Sequence, residues 1–130
     1  MTKENHILFW KENADEDWQS ANILFAGKQF PFCLFTCHLV IEKLLKAVWI
    51  QENTSDFPPR THNLLLLFNQ SSLDLTDDQQ EFLREINNWQ IEGRYPDYNR
   101  TFHGIANETY TEENLLKIKE LRECLLNELP

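Results

Sequence analysis

Apolar positions recur with a helical period over most of this chain. Trp10, Ala14, Trp18, Ala21 and Phe25 are spaced by four, four, three and four residues, and Lys11, Glu12, Asp15, Glu16 and Gln19 fill the other face. The pattern predicts an amphipathic helix that stops at Gly27, just past its last apolar position. Pro31 suits the start of a second helix over residues 32–51. Its apolar residues, from Phe32, Leu34 and Phe35 through Leu44, Leu45, Val48 and Trp49, go nearly all the way round. A helix of that kind is normally the buried centre of a bundle. Its exceptions are His38, Glu42, Lys43 and Lys46. His38, Glu42 and Lys46 are each four apart, so they form one polar stripe.

Residues 53–60 read as a loop, broken by Pro58-Pro59. Thr61 is the expected N-cap of a short helix carrying Leu64 to Phe68. Thr76 and Gln79 have capping-box spacing before a further stripe of Phe82, Leu83, Ile86 and Trp89, extended by Ile91 and ended by Gly93. Residues 94–110 show neither a helical nor a strand period, and a stretch of that length is more often functional or disordered than merely connecting. Thr111 is the expected cap of a last helix with Leu115, Leu116, Ile118, Leu121, Leu125 and Leu129. Short connections favour antiparallel neighbours, so the expected fold is an all-α, up-and-down bundle of about five helices in one domain over residues 1–130.

Composition narrows the function classes. An apolar fraction of 42% with nine Phe and four Trp argues for a packed core. Three cysteines, Cys33, Cys37 and Cys124, are an odd number and do not suggest a disulfide framework. No apolar run approaches the roughly 20 residues that span a bilayer. The first residues lack a signal-peptide pattern, so a cytoplasmic protein with no membrane partner is expected. The net charge is −9, which disfavours broad coating of nucleic acid. That charge is uneven: residues 73–93 stand at −5, whereas residues 94–107 stand at +1. The positive stretch holds Arg94 and Arg100 beside Tyr95, Tyr98, Phe102 and His103. Arginine beside stacking aromatics is the composition of a nucleotide or single-strand site, and equally of a polar loop facing acidic helices.

Most familiar site motifs are absent. The three glycines stand alone, so no phosphate-cradling loop exists, and no Glu-x-x-His occurs. Cys33 and Cys37 share a helix face, which suits packing better than a soft metal; no metal is expected. Cys37 and His38 are adjacent, and on a helix adjacent residues point about 100° apart, which counts against a nucleophile pair. The stripe of His38, Glu42 and Lys46 must face solvent, another polar element or a ligand, because unpaired burial is costly. Lys43 and Lys46 suit phosphate. Alternatively, Glu42 and Lys46 form an i,i+4 ion pair and His38 is a hydrogen-bonded core histidine.

Three segments together carry a family resemblance. They are the run from Phe35 to Ala47, containing Glu42-Lys43-Leu44-Leu45-Lys46-Ala47; then Thr61-His62-Asn63-Leu64; then Arg94-Tyr95-Pro96-Asp97. With the opening helix of Trp10, Ala14, Asp17-Trp18 and Ala21, the chain resembles the HEPN family (higher eukaryote and prokaryote nucleotide-binding domain) over essentially its whole length. The resemblance implies an up-and-down helical bundle, commonly a homodimer, that often pairs with a small nucleotidyltransferase in toxin–antitoxin-like modules. Some members are proposed to bind nucleotides. Lys43, Lys46, His62, Arg94 and Tyr95 are the positions that match the family's motifs, and a nucleotide is the ligand they imply. A large branch of the family cleaves RNA without metal, using an Arg followed after four to six residues by a His. Here Arg94 and His103 are separated by eight residues and Arg100 and His103 by two, so that spacing is absent. A non-catalytic domain is therefore expected. A divergent ribonuclease using Arg94 or Arg100 with His103, and a purely protein-binding module, are the alternatives.

Overall fold

A computed structural model describes residues 1–94 and 100–130, with backbone alone at 93 and 94. Among the described residues there are six helices and no strand: α1 (Lys3–Ala26), α2 (Phe30–Glu52), α3 (Leu64–Asn69), α4 (Asp77–Arg94), α5 (Thr101–Ile105) and α6 (Glu108–Asn127). The all-α bundle is as expected. The additional helix is α5, whose five residues are too few to show a hydrophobic period; it buries Phe102, with Ala106 buried just beyond.

The local chemistry explains the boundaries. Thr2 caps α1 by accepting from the N–H of Asn5. The stop falls at Gly27, but the left-handed residue is Lys28 (φ 61°). The N–H of Lys28 donates to Phe25 and that of Gln29 to Leu24, which closes a Schellman turn. Pro31 lies in the first turn of α2, and the helix begins at Phe30, slightly earlier than its proline suggests. Thr76 and Gln79 form the reciprocal capping box at α4. The caps of α3 and α6 are corrected. Asn63, not Thr61, accepts from the N–H groups of Leu65 and Leu66, and Asn107, not Thr111, accepts from Tyr110. Thr61 instead accepts from Asn63, and Thr111 is buried within the first turn of α6.

The second helix is the centre. Cys33, Leu34, Val40, Ile41, Leu44, Leu45, Val48 and Ile50 are all buried, and α1, α3, α4 and α6 pack around them. Trp89 and Ile86 from α4, and Ile118 and Leu125 from α6, complete one continuous core. Ile91, the expected extension of the α4 stripe, is exposed, as is Leu116 in α6. Lys3 ties the start of α1 to the end of α2: its ammonium donates to the carbonyls of Ile50 and Asn53 and to Asp56. A cation suits the negative end of a helix. No described helix is long and apolar enough to cross a membrane.

Candidate functional site

The polar stripe on α2 is buried and closed on itself. His38 is fully buried, Glu42 is 4% exposed and Lys46 is 7% exposed. The Nε2 of His38 lies 2.9 Å from the backbone carbonyl of His62. A carbonyl only accepts, so Nε2 carries the proton. Its Nδ1 stands 3.8 Å from Glu42 Oε1. That same Oε1 accepts from His62 Nδ1 at 2.8 Å, and Oε2 accepts from Lys46 Nζ at 3.1 Å. The Lys46 ammonium also sits 5.3 Å from the centroid of the Trp10 ring on α1, a cation–π distance. One carboxylate thus gathers two donors, and one histidine is held by the backbone of the other.

This arrangement joins three elements. The i, i+4, i+8 spacing on α2 brings His38, Glu42 and Lys46 onto one line. The loop before α3 then delivers both the imidazole and the carbonyl of His62 to that line. Trp10 covers the Lys46 end from α1. The i,i+4 ion pair and the core histidine are therefore realised together. The partnership of His62 with Glu42 is what the sequence does not reveal, because it depends on where the residue 53–63 loop returns.

Lys43 faces elsewhere, and its ammonium lies 2.6 Å from Asp17 Oδ2 on α1. The family-motif positions Lys46 and His62 are thus brought together, whereas Lys43 joins a separate pair. Each has an internal partner. Arg94 ends α4, and its side chain lies outside the described residues, as do Tyr95 and Tyr98.

Arg100 and His103 meet on the exposed turn that opens α5. Arg100 holds a left-handed backbone (φ 52°), and its guanidinium donates to His103 Nε2. Neither is buried. Cys33 and Cys37 are buried free thiols, with Cys33 Sγ 3.2 Å from the carbonyl of Ala21. The hydrogen bond that the Cys37 thiol donates to Cys33, and then burial, push Cys37 well above its ordinary range. Such a thiol is a poor nucleophile or metal ligand. Among the described residues, no group of three or more His, Cys, Asp or Glu is placed to hold a metal ion.

A second polar chain lies between α4 and α6. Trp89 Nε1 donates to the Tyr110 hydroxyl at 3.0 Å, and that hydroxyl donates to Glu85 Oε1 at 2.8 Å. Burial, reinforced by Glu85, raises the Tyr110 phenol to about 12. Sequence reasoning placed Trp89 only as a core residue, and its 21-residue separation from Tyr110 carries no periodic signal.

Neither a curated protein nor a solved structure matches the chain. The family model described as HEPN domain matches residues 7–129, which takes in every helix except the first residues of α1. With an all-α bundle built around the α2 segment that carried the resemblance, the chain belongs to the HEPN domain family.

Proposed function

We propose that this domain acts by binding rather than by catalysis: a non-catalytic, cytoplasmic HEPN module that partners a small nucleotidyltransferase in a toxin–antitoxin-like pair, as a homodimer. The observation that carries this reading is the internal use of the charges on α2. Glu42 takes up Lys46 and His62, and Asp17 takes up Lys43. These groups hold helices and a loop in register instead of presenting a reactive set. The absence of the four-to-six-residue Arg–His spacing supports the same reading. A nucleotide, where one is bound, falls to Arg94 for phosphate and to Tyr95 or Tyr98 for stacking on the base.

The test is co-expression with the nucleotidyltransferase encoded by an adjacent reading frame, recognised by its Gly-Ser and paired-Asp signature. A complex that survives size exclusion is the expected result; separate elution overturns the partnership. Calorimetry with the common nucleoside triphosphates, on the chain and on the complex, tests the ligand. No heat of binding at millimolar concentration removes the nucleotide.

The contact between Arg100 and His103 favours a second reading, a divergent metal-independent ribonuclease. Arginine would steady phosphate charge while histidine moves a proton. Cleavage of single-stranded RNA in the presence of a chelator, abolished by His103→Ala, is its required result. Intact RNA, or equal cleavage by the variant, eliminates it.

A further inference from the structure

Two cavities meet at Glu85 on α4, the first closed by α6 and the second by α5 together with Tyr110 in the first turn of α6. The first, about 410 Å³, has Phe82 and Leu121 as its apolar floor and Asp78, Glu81 and Glu120 on its rims. Lys117 lies across it, its ammonium 5.6 Å from the Phe82 ring centroid. The second, about 560 Å³, is lined by Trp89, Phe102, Ile105 and Tyr110, with Glu85 and Glu92 beside them. Ile105 is half exposed. From Asp78 to Glu92, the α4 side of this groove runs roughly 20 Å at the rise of an α-helix. It combines an apolar floor with a rim rich in carboxylates, and Lys117 is the one basic side chain among the described residues that line either cavity.

From this groove we infer that the α4–α6 face docks a basic, amphipathic helical segment of a protein partner. Glu81 is met by Arg84, while Asp78, Glu85, Glu92 and Glu120 are among the residues that line the groove. Glu85 is the anchor. Its Oε1 is held by the Tyr110 hydroxyl, so Oε2 is presented in a fixed direction to an incoming guanidinium or ammonium. Charge complementarity selects the occupant. In a second copy of this chain the net-positive stretch, residues 94–107, reaches only +1, so this groove is not the face through which the homodimer forms. Nucleic acid and anionic lipid are repelled by the carboxylates of the rim. A basic helix with one apolar face satisfies both the floor and the rim.

The inference rests on the reading of this chain as a binding module, and the experiment separates the two. The probe is a synthetic helical peptide of about 16 residues, long enough to span the groove at 1.5 Å per residue, with Lys and Arg on one face and Leu on the other. Fluorescence anisotropy of the labelled peptide against the full chain is expected to show saturable binding, with the Trp89 indole N–H among the shifted resonances in a parallel NMR titration. The variant Glu85→Gln with Glu120→Lys is expected to weaken it by about tenfold or more. The amide oxygen introduced by Glu85→Gln still accepts from Tyr110, so the fold is kept. The control Glu12→Lys with Glu16→Gln makes the same change of net charge on exposed positions of α1 and is expected to leave affinity unchanged.

Equal weakening by both variants means attraction to net charge alone and overturns the groove. Equal affinity for spermine, which has no apolar face, also overturns it, as does shifting of α1 resonances instead of Phe82, Trp89 and Leu121. If the peptide fails while the nucleotidyltransferase is still retained, the groove is wrong and the module reading stands. If the peptide binds and the nucleotidyltransferase does not, that assignment of partner fails and the groove stands.

Discussion

The stripe on α2 and the face shared by α4 and α6 use similar side chains to opposite ends. On α2, Glu42 is almost fully buried, and both of its oxygens are taken by groups of this chain. On α4 and α6, Asp78, Glu81 and Glu120 are exposed to water around an apolar floor. A buried charge is retained only where its partner is fixed, because desolvation is severe. An exposed charge contributes little to stability and stays available to something else. Burial therefore separates the charges that build this fold from those that can serve a partner.

The largest effect is expected at Glu42. Replacing it with Leu leaves the Lys46 ammonium buried without its carboxylate and His62 without its acceptor. A loss of about 3–5 kcal/mol in chemical denaturation is expected. Adding Lys46→Met to Glu42→Leu removes the orphaned charge and is expected to recover more than half of that loss, since an apolar pair of similar volume often replaces an ion pair well. A single-variant loss below about 1 kcal/mol would place the stripe among surface pairs instead.

Tyr110 is the point where the α4–α6 face becomes structural, since its hydroxyl links Trp89 to Glu85. Tyr110→Phe removes the hydroxyl between Trp89 and Glu85 and is expected to cost about 1–2 kcal/mol at neutral pH. The phenol is raised from 10 to about 12 in the fold. A group raised in this way contributes its full stability below pH 10 and loses it as pH rises through its folded value. Denaturation midpoints should therefore fall between about pH 10 and 12, and fall less steeply in Tyr110→Phe. Parallel slopes in the two proteins would mean that the phenol titrates normally.

The α2 stripe was half legible in the sequence. The four-residue spacing announces the Glu42–Lys46 pair and a core position for His38, because a helix fixes those neighbours locally. It does not announce His62 or Trp10, whose arrival depends on a loop broken by two prolines and on the packing of α1. The same limit explains the caps. Thr61 and Asn63 are both competent acceptors, and only the path of the chain decides that Asn63 reaches the N–H groups of Leu65 and Leu66. The acidity of residues 73–93 was plain, but the groove exists only once α6 lies antiparallel beside α4. Phe82 and Leu121 gave their burial to the pattern and their shared floor to the fold. The +1 stretch stands out for its arginines, of which Arg100 lies against His103, while the Arg94 side chain and the whole of Tyr95 lie outside the described residues.

Lys43 lies between the two regimes. It pairs with Asp17 at 2.6 Å, with both side chains about one-fifth exposed. Lys43→Ala should cost no more than about 1 kcal/mol, and the cost should shrink in high salt, as for other solvent-screened pairs. A larger or salt-independent loss would move this pair into the buried class with Glu42 and Lys46.

The smallest expected effect is at the exposed turn. Arg100 and His103 are both exposed and contact each other, so Arg100→Ala and His103→Ala should each change stability by no more than about 0.5 kcal/mol. The left-handed backbone at Arg100 sets the sign for a further variant. Glycine takes that conformation without the clash a Cβ introduces, so Arg100→Gly should be at least as stable as Arg100→Ala. Thermal unfolding of the three variants measures this directly. A loss of several kcal/mol from His103→Ala would show that the turn holds the fold together, and a loss of function in that variant would then say nothing about chemistry. With stability unchanged, any effect of His103→Ala on RNA belongs to the side chain itself, which makes this turn the cleanest place to separate a binding module from a nuclease.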